Sequence, residues 1–205
     1  MLNPVATAPG SVFVDPTTKR MPSIFSHAIF ASAVGSAYTT QAMPLRYWVL
    51  TAACAMLPDA DAIGFAFGVR YDSMLGHRGL THSIAFAVLI GLAVGMFAFG
   101  KRLTGPGKLQ LVLYFTLVTL SHPLLDAMTN GGRGVALLAP FSAERYFFSF
   151  RPIEVSPIGM QFFSERGLEV LVSEIIWVWL PALLIYMTAR MYRTVRMKSE
   201  ENGNE

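Results

Sequence analysis

The chain has 205 residues, 53% of them hydrophobic and only 14% charged, with a mean hydropathy of +0.47. Soluble domains carry about 25% charge, so this composition points to a one-domain integral membrane protein. The net charge of +3 forms no basic stripe that would mark a nucleic-acid partner, and the single Cys54 excludes an internal disulfide framework or a thiolate metal site.

Residues 1–22 lack the basic start and apolar run of a cleavable signal. With Pro4, Pro9 and Pro16 they read as a flexible tail, and Met21 is a candidate start residue. The first apolar segment, Ser23 to Thr40, is rich in small residues and carries His27 in its first turn. The second, Leu45 to Leu57, is bracketed by Pro44 and Pro58. At 1.5 Å per residue it reaches roughly 20 Å, short of the roughly 30 Å hydrocarbon core. The string L-P-D-A-D follows, with Asp59 and Asp61, and then a Gly-rich connection over 62–80 that reads as looped or partly re-entrant.

Thr81 to Phe99 is the clearest span, with Gly91 and Gly95 as a close-packing pair. A basic loop with Lys101, Arg102 and Lys108 leads into the fourth segment, Leu109 to Met128. There His122 and Asp126 are four apart and share a helix face, while Pro123 is expected to kink or loosen the backbone. Residues 129–166 form a long loop in which Tyr146, Phe147, Phe148 and Phe150 suit a membrane interface. Leu168 to Met187 spans again, carrying Glu169, Glu174 and Pro181. The expected fold is all-α, a polytopic membrane helical bundle with four or five transmembrane segments. The membrane domain covers residues 23–189 and a basic, then polar tail covers 190–205.

Threading these segments alternately through a bilayer brings distant residues to one side. His27 begins the first segment, Asp59 and Asp61 end the second, His77 and His82 begin the third, and His122 and Asp126 end the fourth. All four histidines of the chain are in this set. The short loop with Lys101, Arg102 and Lys108, together with Arg46 and the tail arginines, falls on the other side. That cation density marks the cytoplasmic face, so the histidines face the periplasm or exterior.

Neutral imidazoles and carboxylates are ligands for zinc, and also for manganese or iron. Four His and three Asp suffice for one to three ions. Such a centre activates water and clamps a phosphoester. Arg78 has the planar fork that fits phosphate, and Arg133 is a second candidate. Each residue alone has a plainer reading. His27 fits a packing role, Asp59 beside Pro58 fits a turn, and Arg78 fits snorkelling to the interface. Intramembrane His and Asp also serve proton relays, so a metal- or proton-coupled transporter is the alternative.

The strings S-H at 26–27, L-P-D-A-D at 57–61, H-R-G-L-T-H-S at 77–83 and S-H-P-L-L-D-A-M-T at 121–129 resemble the YdjM family over about residues 21–160. That resemblance implies an inner-membrane, metal-dependent hydrolase distantly similar to zinc-dependent phospholipase C and P1-type nucleases. By motif it implies His27, Asp59, Asp61, His77, His82, His122 and Asp126 as metal-site residues. The expected activity is cleavage of a phosphate ester, most simply of a membrane lipid, by metal-activated water. Asp59 or Asp61 would act as general base and Arg78 would steady the phosphate. Oligomeric state is left open.

Overall fold

In lipid the backbone must satisfy its own hydrogen bonds, so apolar runs become helices. The computed structural model describes residues 2–4, 20–21, 24–39, 42–99, 107–157 and 165–202. Most of the tail residues expected to be flexible, including Pro9 and Pro16, lie outside the described residues, as do Lys101 and Arg102. In chain order come α1 (Ile24–Tyr38), α2 (Leu45–Met56), a 3-10 helix (Leu57–Phe67), a short 3-10 turn (Leu80–His82) and α3 (Ile84–Phe97). They are followed by α4 (Lys108–Ala127), α5 (Glu165–Glu174), a π turn (Ile175–Trp179) and α6 (Leu180–Asn202). Two small antiparallel pairs join distant parts of the chain. β1 (Leu2–Pro4) runs against β3 (Tyr146–Phe148), with Leu2 opposite Phe148. β2 (Arg20–Met21) runs against β4 (Ser156–Pro157).

Three stretches are long and apolar enough to cross a membrane: Leu45–Phe67, Lys108–Ala127 and Glu165–Arg196. The first was expected to stop at Leu57. Instead α2 runs straight into the 3-10 helix, because Pro58 occupies its first turn, where a missing N–H leaves no bond unmade. The backbone turns away only at Gly68, whose φ of 76° is left-handed. Conversely, the segment expected to be the clearest span is short. α3 has 14 residues. Its N-cap is Ser83, whose Oγ accepts from the Phe86 N–H at 3.0 Å, and the residues before it form the 3-10 turn.

Gly91 and Gly95 seat α3 directly on α4. A Cβ on Gly91 would strike the Thr116 side chain, and one on Gly95 would strike the Val112 backbone. This close approach leaves no room for a side chain between α3 and α4 at either glycine. The end formed by the α1 C-terminus and the α2 and α4 N-termini is closed by aromatics. Tyr47 stacks on Tyr114 with centroids 4.9 Å apart, and Tyr114 Oη meets Thr51 Oγ1 at 2.8 Å. Pro123 lies inside α4 without ending it. In the long loop, Tyr146 and Phe148 pack on a small core of Ala127, Val135 and Leu137. Of the four aromatics expected to suit a membrane interface, Phe147 is buried and Phe150 is exposed.

Candidate metal centre

At the opposite end, four chain segments deliver the histidines and aspartates to one place. α1 brings His27, the 3-10 helix brings Asp59 and Asp61, the loop before α3 brings His77 and His82, and the last turns of α4 bring His122 and Asp126. The side chains of all seven are buried. Asp59, His82, His122 and Asp126 each place a ligand-type atom within 4.8 Å of the others. His122 Nε2 lies 3.3 Å from Asp59 Oδ1, 3.7 Å from Asp126 Oδ2 and 3.1 Å from His82 Nε2. His82 Nε2 lies 3.3 Å from Asp126 Oδ2 and 3.6 Å from Asp59 Oδ1. His27 stacks on the His122 ring at 3.7 Å, with its Nε2 3.7 Å from Asp126 Oδ1. Asp61, His77 and His82 form a second, overlapping group.

The proton positions in this cluster follow from the partners. His122 Nδ1 is 2.7 Å from the Ala55 carbonyl. A carbonyl only accepts, so the proton is on Nδ1 and Nε2 presents a lone pair. That lone pair faces Asp59 Oδ1 and Asp126 Oδ2, which have no aligned hydrogen-bond donor among the described residues. A concentration of buried acceptors is costly unless a cation sits among them. Charge says the same. Three buried carboxylates stand against the single buried guanidinium of Arg78. With neutral imidazoles two negative charges remain, which one divalent cation balances. The donor set fits a hard or borderline ion such as zinc, manganese or iron.

Arg78 is fully buried beside the cluster. Its Nε is 3.1 Å from Asp126 Oδ2, and its Nη1 donates to Thr129 Oγ1 and the Gly131 carbonyl, each at 3.2 Å. Nη2, on the same edge of the fork as Nε, has no partner among the described residues. Burial works against the charge, but Asp126 beside it holds the guanidinium pKa above its ordinary value. The Arg78 backbone is left-handed, at φ 60°. Surrounding bonds hold it there. Its N–H donates to Asp61 Oδ2 at 3.2 Å and its carbonyl accepts from the Ala136 N–H at 3.0 Å.

Arg133, the second arginine suggested by sequence, lies outside this cluster, half-exposed and 3.6 Å from Asp72. Arg145 was not singled out. It reaches under the loop that carries His77 and Arg78. Its Nη1 donates to the carbonyls of His77, Arg78 and Gly134, and its Nη2 to those of Tyr71 and Ser73, at 3.0–3.4 Å. Its only trace in the sequence is a cation within an aromatic stretch.

The fold and this cluster together define a helical bundle of the membrane-spanning type with a buried Asp/His group able to hold a divalent metal. The family described as YdjM inner membrane protein matches residues 21–197, and the chain belongs to it. It is 39% identical to inner membrane protein YbcI of Escherichia coli (strain K12) over 166 residues, covering 80% of this chain and 95% of YbcI. No solved structure matches.

Proposed function

We propose that the protein is an inner-membrane, metal-dependent hydrolase that cleaves a phosphate ester, with a membrane lipid as the substrate class. The observation that carries this reading is the set of inward-facing acceptors on Asp59, His82, His122 and Asp126, beside an arginine edge with a free donor. The metal-site set read from sequence, His27, Asp59, Asp61, His77, His82, His122 and Asp126, supplies the ion's surroundings. Zinc is the first choice, with manganese or iron as substitutes. A divalent ion there would supply Lewis acidity and lower the pKa of a nearby water.

The remaining roles belong to the chain's own residues. Arg78 Nη2 would bind an anionic oxygen of the substrate next to Asp126. Asp59 would take the proton from the attacking water. The apolar helix walls would keep bulk water away. The exposed apolar residues Ile63, Phe67 and Leu75 flank the segments that carry the site, which suits a substrate whose acyl chains stay in lipid. Arg46, Lys108, Arg190, Arg193 and Arg196 lie toward the opposite helix ends. That arrangement supports a cytoplasmic location for those ends and a periplasmic site.

The test is metal analysis of the purified protein, followed by comparison of wild type and His82→Ala on a panel of phospholipids. Stoichiometric metal, and release of phosphate or headgroup by wild type only, is the expected result. Wild type without bound metal, or equal activity in both proteins, would overturn the proposal. Metal-dependent uptake into vesicles without turnover would favour transport, for which the buried Glu174 in the α5–α6 rod is the supporting feature.

A further inference from the structure

Asp59 and Asp61 are neighbours on one 3-10 helix and offer the same chemistry, yet their surroundings differ. A carboxylate has about four lone-pair sites. Asp61 meets four nearby donor groups, one at Oδ1 and three at Oδ2. Oδ1 is 2.6 Å from His77 Nδ1. Oδ2 accepts from the Thr81 hydroxyl at 2.6 Å and the Arg78 N–H at 3.2 Å, and lies 3.2 Å from His82 Nδ1. All four donors come from the segment 77–82. Asp59 Oδ1 has no hydrogen-bond donor among the described residues and faces the Nε2 atoms of His122 and His82. Helix geometry places the two carboxylates on different faces. A 3-10 helix has three residues per turn, so two steps turn a side chain by about 240°. Asp59 therefore points to α4, and Asp61 to the loop before α3.

Thr81 adds an independent constraint. Its one hydroxyl hydrogen goes to Asp61, yet its Oγ1 also lies 3.1 Å from His82 Nδ1. The hydrogen in that second contact must come from the imidazole, whose Nδ1–H is shared between Thr81 Oγ1 and Asp61 Oδ2. His82 thus carries a proton on Nδ1, and its Nε2 faces Asp59, His122 and Asp126. His77 has the same arrangement, with Nδ1 on Asp61 and a buried Nε2 that has no partner among the described residues.

We propose that Asp61 binds no ion and is a positioning residue: it holds His77 and His82 in the Nδ1–H tautomer, while Asp59 is the aspartate of this pair that reaches the metal. This rests on the metal-centre reading above. A second ion held by Asp61, His77 and His82 would have to displace the protons from these same contacts. Carboxylates behind ligating histidines fix ring orientation and raise basicity, and losing one costs 10–100-fold in metal affinity.

The experiment uses the full chain in detergent. Long-range proton–nitrogen NMR of the metal-free protein reads the tautomers of its histidines. Wild type should show Nδ1–H at His77 and His82. In Asp61→Asn the side-chain amide donates to one of these Nδ1 atoms, so at least one ring should change to Nε2–H. Zinc titration should show unchanged stoichiometry with affinity about 10–100-fold lower in Asp61→Asn, and a larger loss in Asp59→Asn. Cobalt spectra should keep the wild-type ligand number in Asp61→Asn and lose a ligand in Asp59→Asn.

Nε2–H at both rings in wild type would overturn the proposal without need of any variant. Unchanged tautomers in Asp61→Asn, or loss of one ion per chain there, would also overturn it. If wild type binds no metal, the hydrolase reading fails, while the tautomer measurement still decides the role of Asp61.

Discussion

Replacing Arg78 with Met keeps most of the side-chain volume and removes the one buried positive charge beside the cluster. Asp126 then loses its partner at 3.1 Å while remaining fully buried. Breaking a buried ion pair from one side costs about 3–5 kcal/mol, because the remaining charge is left without compensation. The bonds to Thr129 and Gly131 are lost as well, at about 1 kcal/mol each, although those groups can find other partners. The metal-free variant should therefore unfold at least 3 kcal/mol more easily than wild type in a denaturant titration in detergent. Adding zinc at a hundred times its dissociation constant should return about 2.7 kcal/mol through binding to the folded form alone. A metal-free stability within about 1 kcal/mol of wild type, the range of an ordinary surface pair, would refute the view that Arg78 is a compensated buried charge.

Other expectations follow from single contacts. Gly91→Ala puts a methyl group against Thr116 and should cost about 1–3 kcal/mol by overpacking, read as a lower melting temperature. Arg145→Met removes five donor contacts from loop carbonyls, so hydrogen exchange at residues 71–79 should speed up while α3 and α4 stay protected. Chelation of the purified protein should lower the melting temperature, and zinc should restore it; an unchanged melting curve would argue against a bound ion.

Convergence of the site was legible because it needed only alternation of segments and a note of which end each ionisable residue occupies. The strings around His77 to Ser83 and Ser121 to Asp126 also placed the chain in its family. The extension of α2 was not legible. Pro58 reads as a stop in sequence, but a proline is equally at home in a first helical turn. Similarly, Thr81 to Ser83 are as helix-compatible as the run that follows. They were drawn out of α3 by the Thr81 hydrogen bond to Asp61, which has no local signature, and by the N-cap bond from the Phe86 N–H to Ser83, which has one. Arg145 escaped notice for a related reason: its partners are main-chain oxygens, and any sequence supplies those.

The π turn at Ile175–Trp179 has a consequence for how the last helix meets the first. Ser26 Oγ donates to Glu174 Oε2 at 2.9 Å and accepts from Trp179 Nε1 at 2.8 Å. Glu174 and Trp179 are five apart, a spacing that a regular α-helix directs to different sides and a π turn brings into line. The wide turn thus acts as a phase adjuster, letting the two lengths of the rod be rotated independently. Winding the same residues as ordinary α-helix would swing everything after Trp179 by about a quarter turn, whereas deleting one residue along with the π turn would leave it nearly in place.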